Sequence, residues 1–182
     1  MKIIIAGAGK IGHSVARILS EEGHDITIID RDPDIIQLLS NELDVICVEG
    51  NATNSETLRE AGADQAELLL AATEQDEVNM VCGISARRLG TKHVIARVRD
   101  PEYLSQTGFL RDTLGLSVIV NPEYECAKEI SRILRFPSAV RVDAFSKGSL
   151  EIVEHRVMEG AKLDGMQLKL LSAQLGAKAV SY

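Results

Sequence analysis

Short apolar runs alternate with amphipathic stretches along the first 136 residues of the chain. Ile3-Ile4-Ile5-Ala6 is followed by residues 10–22, where apolar positions recur at helical spacing. Ile26-Thr27-Ile28-Ile29 ends on Asp30. Asp32-Pro33 then supplies an N-cap and a proline at the first helical position, predicting a helix to about Asn41. Val45-Ile46-Cys47-Val48 reads as a third strand, and residues 55–61 as a short helix stopped by Gly62. Leu68-Leu69-Leu70-Ala71-Ala72 is apolar on both faces, as a central parallel strand is, and a helix over 77–89 runs from it to Gly90. A strand over 93–98, a helix from Pro101 to Leu114, a strand over 116–120 and a helix from Pro122 to Phe136 complete the series. This alternation predicts an α/β fold, a Rossmann-like doubly wound six-stranded parallel sheet in the order 3-2-1-4-5-6.

The pattern changes at Phe136-Pro137-Ser138, which predicts two domains, 1–136 and 137–182. Val140, Val142 and Ala144 alternate with Arg141 and Asp143, and residues 150–157 alternate more loosely. These are half-buried antiparallel strands, the start of a small α+β lobe. A helix is expected over 164–174 and a last strand over 178–182, where the lobe breaks off as if truncated.

The first apolar run opens into Gly7-Ala8-Gly9-Lys10-Ile11-Gly12. Strand, glycine turn and helix in that order place backbone N–H groups and the positive end of a helix dipole where an anion can reach them. Gly7 permits the tight turn, Gly9 lets the backbone approach a pyrophosphate, and Gly12 allows the helix to lie close to the strand. A glycine loop alone is weak evidence. Asp30 strengthens it, because an acid at the tip of the second strand, about twenty residues on, can accept hydrogen bonds from both hydroxyls of an adenosine ribose. Other strand ends bring further candidates to the same sheet edge: Arg31, the loop Asn51-Ala52-Thr53, the pair Thr73-Glu74, and Arg97. Asn51 suits either an adenine edge or the cap of the next helix. Arg97, among apolar neighbours, suits either a ligand phosphate or an ion pair with Asp30 or Glu74. Glu74, Asp76 and Glu77 read as helix-start charges before they read as a divalent-cation site.

Composition narrows the function. The chain of 182 residues carries a formal net charge of −7 and no long basic run, which argues against nucleic acid as a partner. Its three cysteines, Cys47, Cys82 and Cys126, have no metal-binding spacing and read as reduced thiols. Met1-Lys2 leads directly into the first apolar run, leaving no room for a signal peptide, and no apolar stretch approaches the roughly 20 residues of a membrane span. Any membrane association is expected to pass through a partner.

Five segments together resemble the regulator-of-potassium-conductance (RCK, also KTN) domains. They are Lys2–Gly9, Asp25–Asp30, Leu58–Asp64, Ala72–Met80 and Ile95–Arg99. The likeness is strongest to the NAD-binding regulatory subunits of Trk-type bacterial potassium uptake systems. It implies that residues 7–11 hold a pyrophosphate, Asp30 the adenosine ribose, Thr73 and Glu74 the second ribose, and Arg97 a phosphate. NAD(H) is the implied cofactor, with ATP or ADP as alternatives; many relatives carry Asp where this chain has Asn51, which bears on that choice. The implied partner is a membrane-embedded potassium channel subunit, reached from the cytoplasmic face by a homodimer or larger ring. The helix from Pro122, with Cys126, Ile130 and Leu134 on one face, is the candidate dimer element. A different class of function, an NAD-dependent oxidoreductase, would need a proton donor and a substrate domain. His13, His24, His93 and His155 form no catalytic pattern, so no catalytic or metal-ligating residue is assigned.

Overall fold

In a computed structural model, residues 1–135, 139–145, 150–167 and 170 are described. The chain divides into two compact units, Met1–Tyr124 and Glu125–Tyr182. The first holds a six-stranded parallel sheet of β1 (Lys2–Ala6), β2 (Asp25–Asp30), β3 (Ile46–Glu49), β4 (Leu68–Ala71), β5 (His93–Arg97) and β6 (Val118–Val120). Their order is β3-β2-β1-β4-β5-β6, as the alternating pattern predicts. Helices α1 (Lys10–Glu21), α2 (Pro33–Glu42), α3 (Ser55–Glu60), α4 (Asp76–Leu89), α5 (Pro101–Ser105) and α6 (Thr107–Leu114) connect the strands. Helix α7 (Pro122–Arg135) follows β6.

Successive residues of β1 feed opposite faces of the sheet. Ile3 and Ile5 pack with Ile26, Ile28, Ala16 and Leu39 in one apolar layer. Ile4 and Ala6 pack with Ile29, Leu69, Val94 and Leu58 in the other. A parallel sheet covered on both faces needs apolar residues at every strand position, which is why its runs are continuous rather than alternating. The register aligns Ala6 with Ile29 on one side and with Ala71 on the other. The chain therefore leaves β1, β2 and β4 at the same edge.

Several boundaries depart from the sequence reading for local reasons. The single helix expected up to Leu114 is two, broken at Gln106 (φ −122°, ψ 26°). Ser105 Oγ and Thr107 Oγ1 donate to the Glu102 and Leu104 carbonyls there, and such hydroxyls compete with the helical ladder. Strand β6 begins at Val118, two residues later than expected, because Ser117 Oγ accepts the Val94 N–H and Leu116 turns into the core. In the second unit, β7 (Ala139–Phe145) and β8 (Leu150–His155) pair antiparallel, matching the alternating pattern. The helix expected from Asp164 is not formed in its first turn. Asp164 instead accepts the Gly160 N–H at 2.8 Å, and Gly165 turns left-handed at φ +71°. The expected strand over 178–182 and the remainder of that helix lie outside the described residues, Leu170 excepted.

The glycine loop is the tightest point in the first unit. Gly7 has φ +99°, and a Cβ there would lie 2.7 Å from the Thr73 amide nitrogen. A Cβ on Gly12 would lie 1.8 Å from the Gly7 carbonyl oxygen and 3.3 Å from Ile5 Cγ2. At Gly9 a Cβ would meet nothing within 4 Å. Gly12→Ala is therefore expected to destabilise the protein by about 3 kcal/mol or more, since backbone must move to admit the methyl. Gly9→Ala is expected to cost under about 1 kcal/mol. Urea unfolding of the two variants checks the contrast, and equal losses would contradict it.

Candidate functional site

A cleft of about 1000 Å³ opens at the carboxyl edge of the sheet, between the ends of β1 and β4 where the strand order reverses. That switch point is where open α/β sheets bind ligands. Helix α1 points its start at the cleft. Its N-cap, Gly9, supplies no side-chain hydrogen bond, and its first turn has no acidic residue. By contrast α2, α3 and α5 are capped by Asp32, Asn54 and Asp100 and carry an acid in the first turn. The first-turn N–H groups of α1 are thus left to an anion from outside.

Asp30 ends β2 beside this loop. Its Oδ2 accepts the Ala8 N–H at 2.6 Å, and its Oδ1 accepts the Asp32 N–H at 3.0 Å. Each carboxylate oxygen has a further lone pair, so ribose hydroxyls can be added without breaking these bonds. The same carboxylate holds the glycine loop in shape. Ile29, Ile35, Gly50 and Ala52 give this end of the cleft an apolar lining suited to a flat ring.

The opposite end is built on Asn79 of α4, whose side chain is fully buried. Its Oδ1 accepts from the Thr73 N–H at 2.8 Å and from Thr73 Oγ1 at 2.7 Å. Its Nδ2 donates to the Thr73 carbonyl at 3.1 Å and to the Arg97 carbonyl at 2.9 Å. One amide so fixes the ends of β4 and β5 relative to each other. Asp76 does similar work for the turn after β5, accepting the Arg99 and Asp100 N–H groups, both at 2.8 Å. Glu77 accepts from the Tyr103 hydroxyl at 2.9 Å, which raises the phenol's pKa. Asp76, through Oδ2, and Glu77 are thereby engaged by the protein itself, while Asp76 Oδ1 is buried without a hydrogen bond.

Arg97 does not pair with Asp30 or Glu74, the partners expected from sequence. Its Nη2 donates to Glu123 Oε1 in a direct ion pair. The reason is topological: β6 is the neighbour of β5, and Glu123 opens the helix that follows β6. The Arg97 side chain is only 12% exposed, and its Nε is buried with no hydrogen-bond partner. Burial tends to raise the Glu123 pKa, but the Arg97 hydrogen bond and the charges of Arg97 and Arg99 outweigh it, leaving the carboxyl below its ordinary value. Arg99 Nη2 donates to the Glu74 carbonyl.

Of the residues singled out in the sequence, Gly7, Gly9, Lys10, Ile11, Asp30, Arg31, Ala52, Thr73, Glu74 and Arg97 line the cleft together. Ala8 and Gly12 lie beneath it, buried. Asn51 and Thr53 are turned to each other: Asn51 Oδ1 accepts from the Thr53 N–H at 3.0 Å and from its hydroxyl at 2.9 Å. The cap of α3 is Asn54 rather than Asn51. Sequence reasoning missed Asp32, Gln75, Val78, Arg99 and Glu123 as lining residues and Asn79 as their support. Val78 and Glu123 were in principle accessible, since each falls in the first turn of a helix starting at the ligand edge. Among the described residues, no histidine, cysteine or tyrosine lines the cleft.

A doubly wound parallel sheet with an open glycine loop at its switch point and an acid at the tip of β2 is the architecture of the Rossmann-like nucleotide-binding class. Residues 3–122 match the family model described as the TrkA-N domain, and the chain belongs to that family. It is 42% identical over 165 residues to the Trk system potassium uptake protein TrkA homolog of Archaeoglobus fulgidus, covering 91% of this chain and 37% of that protein. It is 36% identical over 173 residues to the Trk system potassium uptake protein TrkA of Halomonas elongata, covering 94% and 38%. The chain thus spans well under half the length of these relatives. Among solved structures, the GsuK RCK domain superposes with a TM-score of 0.59 at 27% identity, covering 75% of this chain and 28% of that one. The TrkA-N domain of the Escherichia coli inner membrane protein YbaL has the same fold, with a TM-score of 0.65 at 21% identity, covering 73% of this chain and 96% of that one.

If Asn79 ties the cleft together, Asn79→Leu keeps the volume and strands the Thr73 N–H and the Arg97 carbonyl in a buried site. A loss of about 3 kcal/mol is expected in urea unfolding. A change below about 1 kcal/mol would show that the two strand ends hold without it.

Proposed function

We propose that the chain is the nucleotide-sensing module of a regulatory subunit that controls potassium uptake through a membrane channel, with NAD(H) as its ligand and ATP or ADP as alternatives. The observation that carries this reading is the open, uncapped start of α1 lying between Asp30 and Arg97 on one cleft. In this reading the α1 N–H groups hold the pyrophosphate, Asp30 the adenosine ribose, Ile35 and Ala52 the adenine face, and Thr73 and Glu74 the second ribose. Support for the potassium role comes from the named relatives, and support for the ligand from solved structures of similar fold described as a GsuK channel bound to NAD and a Kef domain in an AMP-bound form.

Sensing requires no bond to be made or broken. A ligand shifts an equilibrium between two arrangements of the protein only by its differential affinity for them. The module is proposed to assemble as a homodimer or ring, with the exposed Ile130, Ile133 and Leu134 of α7 as the apolar contact. Its proposed site of action is the cytoplasmic face of the membrane, reached through the channel subunit; no helix among the described residues is long and apolar enough to cross a membrane. An oxidoreductase would need a proton donor beside the hydride acceptor, and no observation at the cleft favours one.

Isothermal titration with NADH, NAD, ATP and ADP tests the reading, with light scattering run in parallel. At least one ligand is expected to bind and to change the assembly. Asp30→Ala is expected to weaken NADH by about 2 kcal/mol, roughly 30-fold, while the chain remains folded by circular dichroism. Binding of none of the four, or unchanged NADH affinity in the variant, would overturn the assignment.

A further inference from the structure

We infer that Glu123 is a specificity-determining residue that disfavours nucleoside polyphosphates relative to dinucleotides, because it holds the arginine that a terminal phosphate requires. The inference rests on the nucleotide reading above and deepens it.

Asp30 ends β2 and Arg97 ends β5, with β1 and β4 between them. Three steps between neighbouring strands, each about 4.8 Å, put those ends about 14 Å apart. A nucleotide held by its ribose at Asp30 and by its pyrophosphate at the start of α1 therefore brings to β5 whatever lies beyond the pyrophosphate. In a dinucleotide that is a second, uncharged ribose. In a nucleoside triphosphate it is a terminal phosphate carrying about half of the ligand's charge.

The two classes meet different surroundings at that end. Arg97 is nearly buried; its Nη2 is taken by Glu123 and its Nε is enclosed without a hydrogen-bond partner. Arg99 is likewise engaged, through the Glu74 carbonyl, with its Nε 3.9 Å from Asp76 Oδ1. A phosphate that takes Arg97 must displace the Glu123 carboxylate or sit beside it, and two anions competing for one desolvated guanidinium repel each other. A ribose hydroxyl carries no charge to compete with Glu123 and leaves the ion pair closed. Glu123 itself is 53% exposed, so it is free to swing into solvent when an anion displaces it, which makes the barrier one of affinity and not of access.

The test is titration of the purified chain with NADH, ADP and ATP in EDTA, comparing the wild type with Glu123→Gln and with the double variant Arg97→Ala/Glu123→Gln. The glutamine keeps an acceptor for Arg97 and removes the charge. ATP is expected to bind Glu123→Gln about 10-fold tighter than wild type, with NADH within about 2-fold and no ATP gain in the double variant. A merely structural role for Glu123 would move all three ligands together, and that result would overturn the inference. So would unchanged or weakened ATP binding while NADH still binds, which would leave the nucleotide reading standing. Failure of every ligand to bind any form would overturn both.

Discussion

Where a chain leaves the carboxyl end of a parallel strand, its backbone groups lose their ladder partners and must be satisfied by something else. In this protein three side chains do so. Asn79 serves the ends of β4 and β5, Asp76 the turn after β5, and Asp30 the turns after β1 and β2. Each is bonded to backbone from an element other than its own, so the cleft's shape depends on polar groups placed by tertiary packing. The apolar layers above and below the sheet set where the strand ends lie. The three polar side chains determine how the chain turns away from them.

This division of labour explains what was legible in the sequence. Continuous apolar runs and their capping residues carry the sheet order, and the glycine loop with Asp30 points to the edge where the cleft lies, because both are encoded over short distances. Gly7 and Gly12 could be read as obligatory from the motif, though the obstacle to a side chain at Gly12 is the loop's own carbonyl as much as the strand beneath it. The family likeness drew on segments that contain Asn79 and Arg99 without giving either a role.

What was not legible is long-range pairing. Arg97 stood out as an arginine among apolar residues, but its partner lies on a helix reached only after another helix pair and a strand, so nearer acids were favoured. The break at Gln106 was hidden for the opposite reason: hydroxyls bonding back to carbonyls within one turn are common in helices and interrupt them only in some contexts. The turn around Asp164 shows the same ambiguity, since an aspartate there can start a helix or close a loop on Gly160.

The outermost strands, β3 and β6, are only four and three residues long, although Ile46 and Val118 on them are exposed. A visiting strand could zip onto so little backbone only briefly. The sheet is therefore a closed unit with respect to lateral growth, and crowded copies are protected from fusing edge to edge. That leaves helical faces and loops as the surfaces through which copies could meet without runaway polymerisation of the sheet.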